Sequence, residues 1–216
     1  MNQIPYRKPQ LGRDYWIRDN ALSNATEIVE RCLAREEWVL GKPWTNQAWP
    51  GMRARDALLP EELARIEQWV LQQTGVSRLW SETSPDAGSL DHNSVQLVGE
   101  TDSGPRPHID ARDCRYAGVL YLTPGAPAAG GTSFYRIRLP DGALGGNTCP
   151  PPHANLREAL GVPGLPFSAW KEDVAIPNVF NRLLVYRANI VHSASSYFGS
   201  TKSGKRMTVT FFWRAS

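Results

Sequence analysis

His108, Ile109 and Asp110 form an H-x-D step, answered far downstream by His192 and then by Arg206. Alternate residues of an extended strand face the same way, so an imidazole and a carboxylate two positions apart can grip one ion. A third ligand from a distant strand completes the set, and His192 is the candidate. Two imidazoles and one carboxylate on one side of an octahedron leave three adjacent positions open, which suits a ferrous ion taking a chelating cosubstrate and O2 side by side. The rival ligands are weaker. His92, in the polar turn DHNS, and His153, in CPPPHAN, read as surface residues. Cys114 shares the parity of His108 and Asp110, but ARDCR is too polar to continue a core strand, so Cys114 reads as a small packing residue and Asp91 and Asp113 as loop carboxylates.

The elements that must position these groups are strands. YAGVLYLT, Tyr116 to Thr123, reads as a buried strand. A turn of Pro, Gly and Ala leads to a second strand, TSFYRIR, Thr132 to Arg138. RLLVYRANIVHS supplies a strand pair ending at His192, and GKRMTVTFFW alternates Arg206, Thr208 and Thr210 on one face with Met207, Val209 and Phe211 on the other.

On these residues the chain resembles the Fe(II)/2-oxoglutarate-dependent oxygenase superfamily, in its prolyl-hydroxylase-like branch. The resemblance rests on PHID at Pro107 to Asp110, GVLYL with Tyr121, GGTSFY at Gly130 to Tyr135, NRLLVY...NIVHSA at Asn181 to Ala194, and GKRMTVTFFW. It spans the C-terminal half from near Ser94, and the GGTSFYR and HSA runs look like a poorly characterised bacterial subgroup. It implies a mainly β fold with flanking helices: a double-stranded β-helix of jelly-roll or cupin-like form, buttressed by N-terminal α-helices. It implies Fe(II), 2-oxoglutarate and O2 as cofactor and cosubstrates, metal ligands His108, Asp110 and His192, and a role for Tyr121, where such proteins often place a tyrosine. Relatives that transfer chloride lack the carboxylate that Asp110 supplies. The implied reaction is hydroxylation of an unactivated C–H bond with conversion of 2-oxoglutarate to succinate and CO2; desaturation or ring closure would use the same chemistry.

The cosubstrate can also be argued from charge. Neutral imidazoles and one carboxylate leave a net positive centre that attracts an anionic chelator. The far carboxylate of a 2-oxo acid then needs a fork-shaped, permanently charged partner, and Arg206, fourteen positions beyond His192, can re-enter the same pocket on a neighbouring strand. Thr208 shares its face and can offer a hydroxyl, whereas Lys205 faces the other way and is expected in solvent. A cupin-like hydrolase or isomerase using zinc or manganese, or a non-catalytic binding barrel, could share the three ligands; the hydrolase would have no use for Arg206.

Length and composition fit one enzyme domain over residues 1–216, with residues 1–90 as helical and irregular support and 94–216 as the core. The net charge of +3, without a Lys/Arg block, gives no support for a nucleic-acid partner. No run approaches the roughly 20 apolar residues of a membrane span, and the start lacks a secretory h-region. Three cysteines without a CxxC argue for a reducing, cytoplasmic setting.

Asn24, with Glu27 three residues on, is expected to cap a helix over Ala25 to Trp38. A second should run from Pro60 to Thr74, stopped by Gly75, with Leu63, Ile66, Val70 and Leu71 on its apolar stripe. Residues 42–60 between them look too rich in Pro, Trp and Gly for regular structure, and Trp44, Trp49 and Trp80 read as core or seam aromatics. The Pro/Gly-rich segment Leu139 to Pro166 is a candidate lid with a short helix near Ala154 to Leu160. The substrate class reads as a small molecule, an amino acid or a peptide. Arg112, Arg115, Arg136, Arg138 and Arg187 lie near the expected site; solvated strand edges are their ordinary role, and Arg136 and Arg187 are the leading candidates for a substrate carboxylate.

Overall fold

The computed structural model describes residues 1–41, 49–81, 91–110 and 113–216. In chain order its elements are β1 (Tyr15–Arg18), α1 (Ala25–Leu33), β2 (Val39–Leu40), β3 (Met52–Ala54), α2 (Pro60–Thr74), β4 (Leu79–Trp80), β5 (Ser94–Val98), β6 (Tyr116–Tyr121), β7 (Thr132–Ile137), α3 (Leu156–Leu160), β8 (Trp170–Ile176), β9 (Leu183–Arg187), β10 (His192–Ala194) and β11 (Arg206–Ala215). Among the described residues, β1-β9-β6-β11-β5-β3-β2 form the larger sheet, with β4 added at the end of β11, and β10-β7-β8 form the smaller.

Periodicity decides which face of each strand goes where. Met207, Val209, Phe211 and Trp213 of β11 join Tyr116, Leu120, Leu183 and Val185 in a core shared with Ile28 of α1 and Ile66 and Val70 of α2. The helices therefore buttress the outer face of the larger sheet. The opposite face presents Ala117, Val119 and Tyr121 of β6 and Leu184 and Tyr186 of β9 to Phe134 and Ile176 of the smaller sheet. Because β6 is covered on both faces, its run YAGVLY is buried at every position and carries no charge. The arrangement is mostly β with few helices, two facing sheets of the jelly-roll kind, and the larger sheet is not closed into a barrel.

A third layer lies outside the smaller sheet. Tyr135 and Ile137, past a register shift at Phe134/Tyr135, pack with Cys149, Ala159, Leu160 and Ile4. The candidate lid segment thus has a hydrophobic cluster of its own. Its helix, α3, is shorter than expected, with Asn155 accepting from the Glu158 N–H as cap and Gly161 in the left-handed region as stop.

Several expectations are corrected. α2 has the predicted bounds, and Gly75 ends it at φ 71°. α1 stops at Leu33, because its buried stripe ends at Cys32 and Glu36 and Glu37 face solvent. Asn24 makes no side-chain cap; its amide donates to Glu62 Oε1 (2.7 Å) instead. Within residues 42–60, Met52 to Ala54 form a true strand paired with Leu97, Gln96 and Val95. Lys205 is half-buried and ion-paired with Asp102 (2.8 Å) rather than solvated. Trp44 and Arg112 lie outside the described residues. Among the described residues, no helix is long and apolar enough to cross a membrane.

His92 is the largest departure: its side chain is buried against Phe211 and Trp213, and Nδ1 accepts from the Phe212 N–H (3.1 Å). Burial, opposed by the contact of the ring with the Phe212 carbonyl (3.0 Å), pushes its pKa down to about 4. A depressed folded-state value means stability present above pH 6.5 is lost as the pH falls towards 4, by at most about 3 kcal/mol. Urea midpoints should fall between pH 7 and pH 4.5 in the wild type and show a shallower pH slope in His92→Gln; equal slopes would place the acid sensitivity elsewhere.

Candidate metal centre

His192 opens β10, in register with Phe134 of β7. His108 joins the free side of that short strand through two reciprocal backbone hydrogen bonds, His108 N to His192 O (3.0 Å) and His192 N to His108 O (2.9 Å). The Asp110 N–H donates to Ala188 O (3.1 Å), so the whole H-x-D step is zipped along one backbone path. The two imidazole centroids lie 4.6 Å apart. Asp110 bridges them electrostatically, with Oδ1 3.9 Å from His108 Nε2 and Oδ2 3.4 Å from His192 Nε2. One ligand atom from each residue falls within 4.8 Å of the others.

The surroundings prepare these atoms for a cation. Nδ1 of His108 contacts Arg106 O (2.7 Å) and Nδ1 of His192 contacts Ile190 O (2.8 Å). A carbonyl can only accept, so each Nδ1 carries the proton and each Nε2 turns a lone pair towards Asp110. Asp110 Oδ2 is buried with no hydrogen-bond donor. Burial disfavours charge on His192, yet the Asp110 carboxylate outweighs it and raises the ring's pKa above the ordinary histidine value. A cation held at Nε2 would take the place of the second proton that a charged ring carries there.

Tyr186 packs against the His192 ring, tilted by 55° with centroids 4.5 Å apart, and belongs to the same inner cluster as Tyr121. The guanidinium of Arg206 lies over Tyr121 (5.5 Å) and Tyr197 (5.9 Å). It is 4% exposed, and its donors reach two backbone carbonyls, Gly130 O (2.7 Å) and Gly131 O (3.1 Å). The glycines are required there: a Cβ on Gly130 would meet the Phe198 ring at 2.3 Å, and one on Gly131 the Ile176 carbonyl at 1.8 Å. No acidic side chain pairs with Arg206 among the described residues, although burying an uncompensated charge is costly. Thr208, on the same face of β11, has a buried hydroxyl without a partner. Tyr121 donates to Thr132 Oγ1 (2.8 Å), and burial raises its pKa, as it does that of Tyr186, so both phenols are neutral.

Two cavities flank the H-x-D step, and Ile109 contributes to both. One, of about 490 Å³, lies between His108 and the apolar residues Leu156, Leu160, Val162 and Trp170. The other, of about 730 Å³, reaches Asp110 and is lined by Arg115, Arg187, His153 and Trp80. Arg136 lines neither. It donates to Gly145 O (3.0 Å) and Leu144 O (3.2 Å) and lies over the Tyr6 ring at 3.6 Å, holding the turn after β7. Arg138 is exposed, and Trp49 lies by Arg53 (5.6 Å). Cys114 is buried, with burial raising its thiol pKa, while Asp113 pairs with Arg214 (2.7 Å) and Asp91 with Arg53 (2.9 Å). Trp80 on the cavity wall is what sequence reading valued least; β4 is too short to announce itself before its pairing with β11 is known.

The profile of a family described as "Family of unknown function (DUF6445)" matches residues 6–144. None of the curated proteins matches the chain. Among solved structures the chain is similar to a prolyl-4-hydroxylase from Pseudomonas putida, with 15% identity and a TM-score of 0.52 over 94% of both chains. It is similar to the non-heme alpha ketoglutarate dependent epimerase SnoN from nogalamycin biosynthesis, with 19% identity and a TM-score of 0.51 over 94% of this chain and 79% of that one. HygX from Streptomyces hygroscopicus, solved with nickel, 2-oxoglutarate and hygromycin B bound, gives 14% identity and a TM-score of 0.51 over 94% and 83%. At such identities the likeness is one of fold.

If the three side chains form a metal centre, Mn(II) titration followed by electron paramagnetic resonance should give one tight site. His192→Ala and Asp110→Ala should each weaken it at least about 100-fold. Unchanged binding in either variant would remove that residue from the ligand set.

Proposed function

The chain belongs to the DUF6445 family, whose function is not established, and from its own site we propose that it is a non-haem Fe(II)/2-oxoglutarate-dependent dioxygenase that hydroxylates an unactivated C–H bond. The observation that carries this reading is the joint presence of the His108, Asp110 and His192 ligand atoms and a buried guanidinium, Arg206, without an acidic partner, on the inner face of one sheet pair. A hydrolase built on the same ligands has no need of such a cation.

The residues fit the groups the reading requires. Asp110 Oδ2 and the two Nε2 atoms have unused lone pairs for a ferrous ion, and Thr208 Oγ1 and Arg206 have unused capacity for a carboxylate. Bound Fe(II), 2-oxoglutarate and O2 together supply an oxidant strong enough to remove hydrogen from carbon, with release of succinate and CO2. His108, Asp110 and His192 would hold the metal. Arg206, with Thr208 and Tyr121, anchors the far carboxylate and so fixes which end of the cosubstrate meets the metal. Tyr186, Phe134 and Tyr121 keep water from that end of the pocket. Arg187, at the cavity beside Asp110, is the candidate for substrate binding, and the substrate class is a small molecule, an amino acid or a peptide. The three free, buried cysteines support a reducing, cytoplasmic setting.

The test is 2-oxoglutarate-dependent succinate release over a panel of free amino acids, short peptides and metabolite extracts. His108→Ala, Asp110→Ala and His192→Ala should each abolish it. Arg206→Ala should raise the 2-oxoglutarate requirement ten- to hundredfold, the equivalent of about 1.5–3 kcal/mol for lost charged hydrogen bonds, while Fe(II) binding stays near wild type. Iron loss with unchanged cosubstrate demand would refute the anchoring role. We also propose that residues 139–166 act as a lid over the His108 side; limited proteolysis there should slow when metal, cosubstrate and substrate are all bound, and an unchanged rate counts against it.

A further inference from the structure

Asp14 is fully buried and meets three guanidiniums: Arg7 Nε at 2.6 Å, Arg13 Nη2 at 2.7 Å and Arg187 Nε at 3.7 Å. One carboxylate cancels one of these charges and leaves two in excess. Arg187 spends its Nε on the Arg13 carbonyl (3.1 Å) and lies over the Tyr116 ring (5.9 Å), and its two terminal nitrogens have no hydrogen-bond partner among the described residues. Those nitrogens belong to a side chain in the wall of the cavity of about 730 Å³ that reaches Asp110. Arg115 lines the same cavity, is exposed, and its guanidinium has no partner among the described residues. Of the two carboxylates in that wall, Asp113 is paired with Arg214 (2.7 Å) and Asp110 is one of the three candidate ligands, so a cation bound at Asp110 would leave the charges of Arg115 and Arg187 in excess.

We propose that this cavity is the substrate's recognition site, and that the substrate carries an anionic oxygen group, a carboxylate or a phosphate ester, held between Arg115 and Arg187. The proposal rests on the oxygenase reading for the word substrate but not for the binding. Two guanidiniums suit such a group because each offers paired N–H donors to two oxygens. Asn189, also in the wall, adds an amide, and His153 a ring nitrogen. Anchoring the charged end here sets the distance from that group to the carbon lying at Asp110, so the arginine pair selects both the substrate and its reacting position. It is a different place from Arg206, which is buried on the inner face and lines neither cavity beside the H-x-D step.

Calorimetric titration of the Ni(II)-loaded full chain with 2-oxoglutarate saturating tests this. The probes are N-acetylglycine, phenyl phosphate and neutral N-acetylglycinamide. One or both anions should bind and the amide should not, and which anion binds more tightly separates carboxylate from phosphate recognition. Arg115→Met and Arg187→Met should each weaken the preferred anion about tenfold, while Arg65→Met, on α2 across the molecule, should leave it unchanged. Among the described residues Arg115 is exposed and makes no side-chain hydrogen bond or ion pair, so its variant remains interpretable if Arg187→Met is unstable. The proposal is overturned if both variants bind the anions as wild type does, if the amide binds as well as the acid, or if 2-oxoglutarate displaces the anions. Repeating the titration without metal or 2-oxoglutarate reads the cavity alone: anion binding that persists in a protein unable to bind 2-oxoglutarate defeats the oxygenase reading and leaves this site standing.

Discussion

Two backbone hydrogen bonds between His108 and His192, at 3.0 and 2.9 Å, set the geometry on which the site depends. They join a segment that precedes β6 to the edge of a strand more than eighty residues later. Because the bonds run between main chains, the two residues are held side by side whatever rotamer each side chain takes. Asp110 is held by the same means, through its bond to Ala188 O, and the Ser193 hydroxyl accepts from the Arg106 N–H (2.8 Å) to close the other end. The smaller sheet then transmits this order inward: β10 lies on β7, β7 carries Phe134, and Phe134 packs on Tyr186 beneath the His192 ring.

The interior bounded by these groups is electrically incomplete. On one side stand a carboxylate oxygen with no donor and two imidazole lone pairs; on the other stand a guanidinium without an acid and a hydroxyl without a partner. Each costs stability when buried alone. A cation would satisfy the first group and a dicarboxylate the second, which is why the proposed activity follows from charges rather than from fold. The carbonyls of Gly130 and Gly131 orient the guanidinium without cancelling its charge. An acidic side chain paired with Arg206 would have cancelled that charge and spoiled an anion site.

Much of this could be read along the chain, because strong periodicity survives without context. The buried run of β6, the alternation of β11 and the capped pattern of α2 each carry their own signal. The H-x-D step and Arg206 could be read for the same reason, as parity on a strand is local. What escaped depends on partners distant in sequence. β8 exposes Lys171 and Glu172 and looks like a loop until β7 pairs with it. β3 is three residues in a stretch rich in Pro and Trp, held by its register with β5 on one side and β2 on the other. His92 sits in a polar tetrapeptide whose burial is imposed by Phe211 and Trp213 from the far end of the chain. Arg136 and Arg187 read alike in sequence, and packing separated them: one meets carbonyls of the turn after β7, the other turns into a cavity.

The same dependence shapes the wall beside His108. Asn147 is fully buried, and its side chain accepts from the Arg7 N–H and donates to the Arg7 carbonyl, both at 2.8 Å. The N–H groups of Asn147 and Thr148 donate to Pro5 O, and that of Asn2 to Leu160 O (2.8 Å). Residues 2–7 thus run as a strap across the 139–166 segment, and Gly146 permits it, since a Cβ there would stand 1.9 Å from Ile4 O. The segment's far part, Leu156 to Leu165, lines the cavity at His108, and the strap continues through Arg7 to Asp14 and the charges around Arg187. One stretch of chain therefore contacts a lining residue of each cavity, Leu160 of one and Arg187 of the other. Any displacement of the segment away from His108 must break the Asn2 and Asn147 bonds or carry the strap with it, and the second course moves Arg7 relative to Asp14. The apolar wall on one side of the candidate metal centre and the cationic wall on the other are mechanically joined through the first residues of the protein.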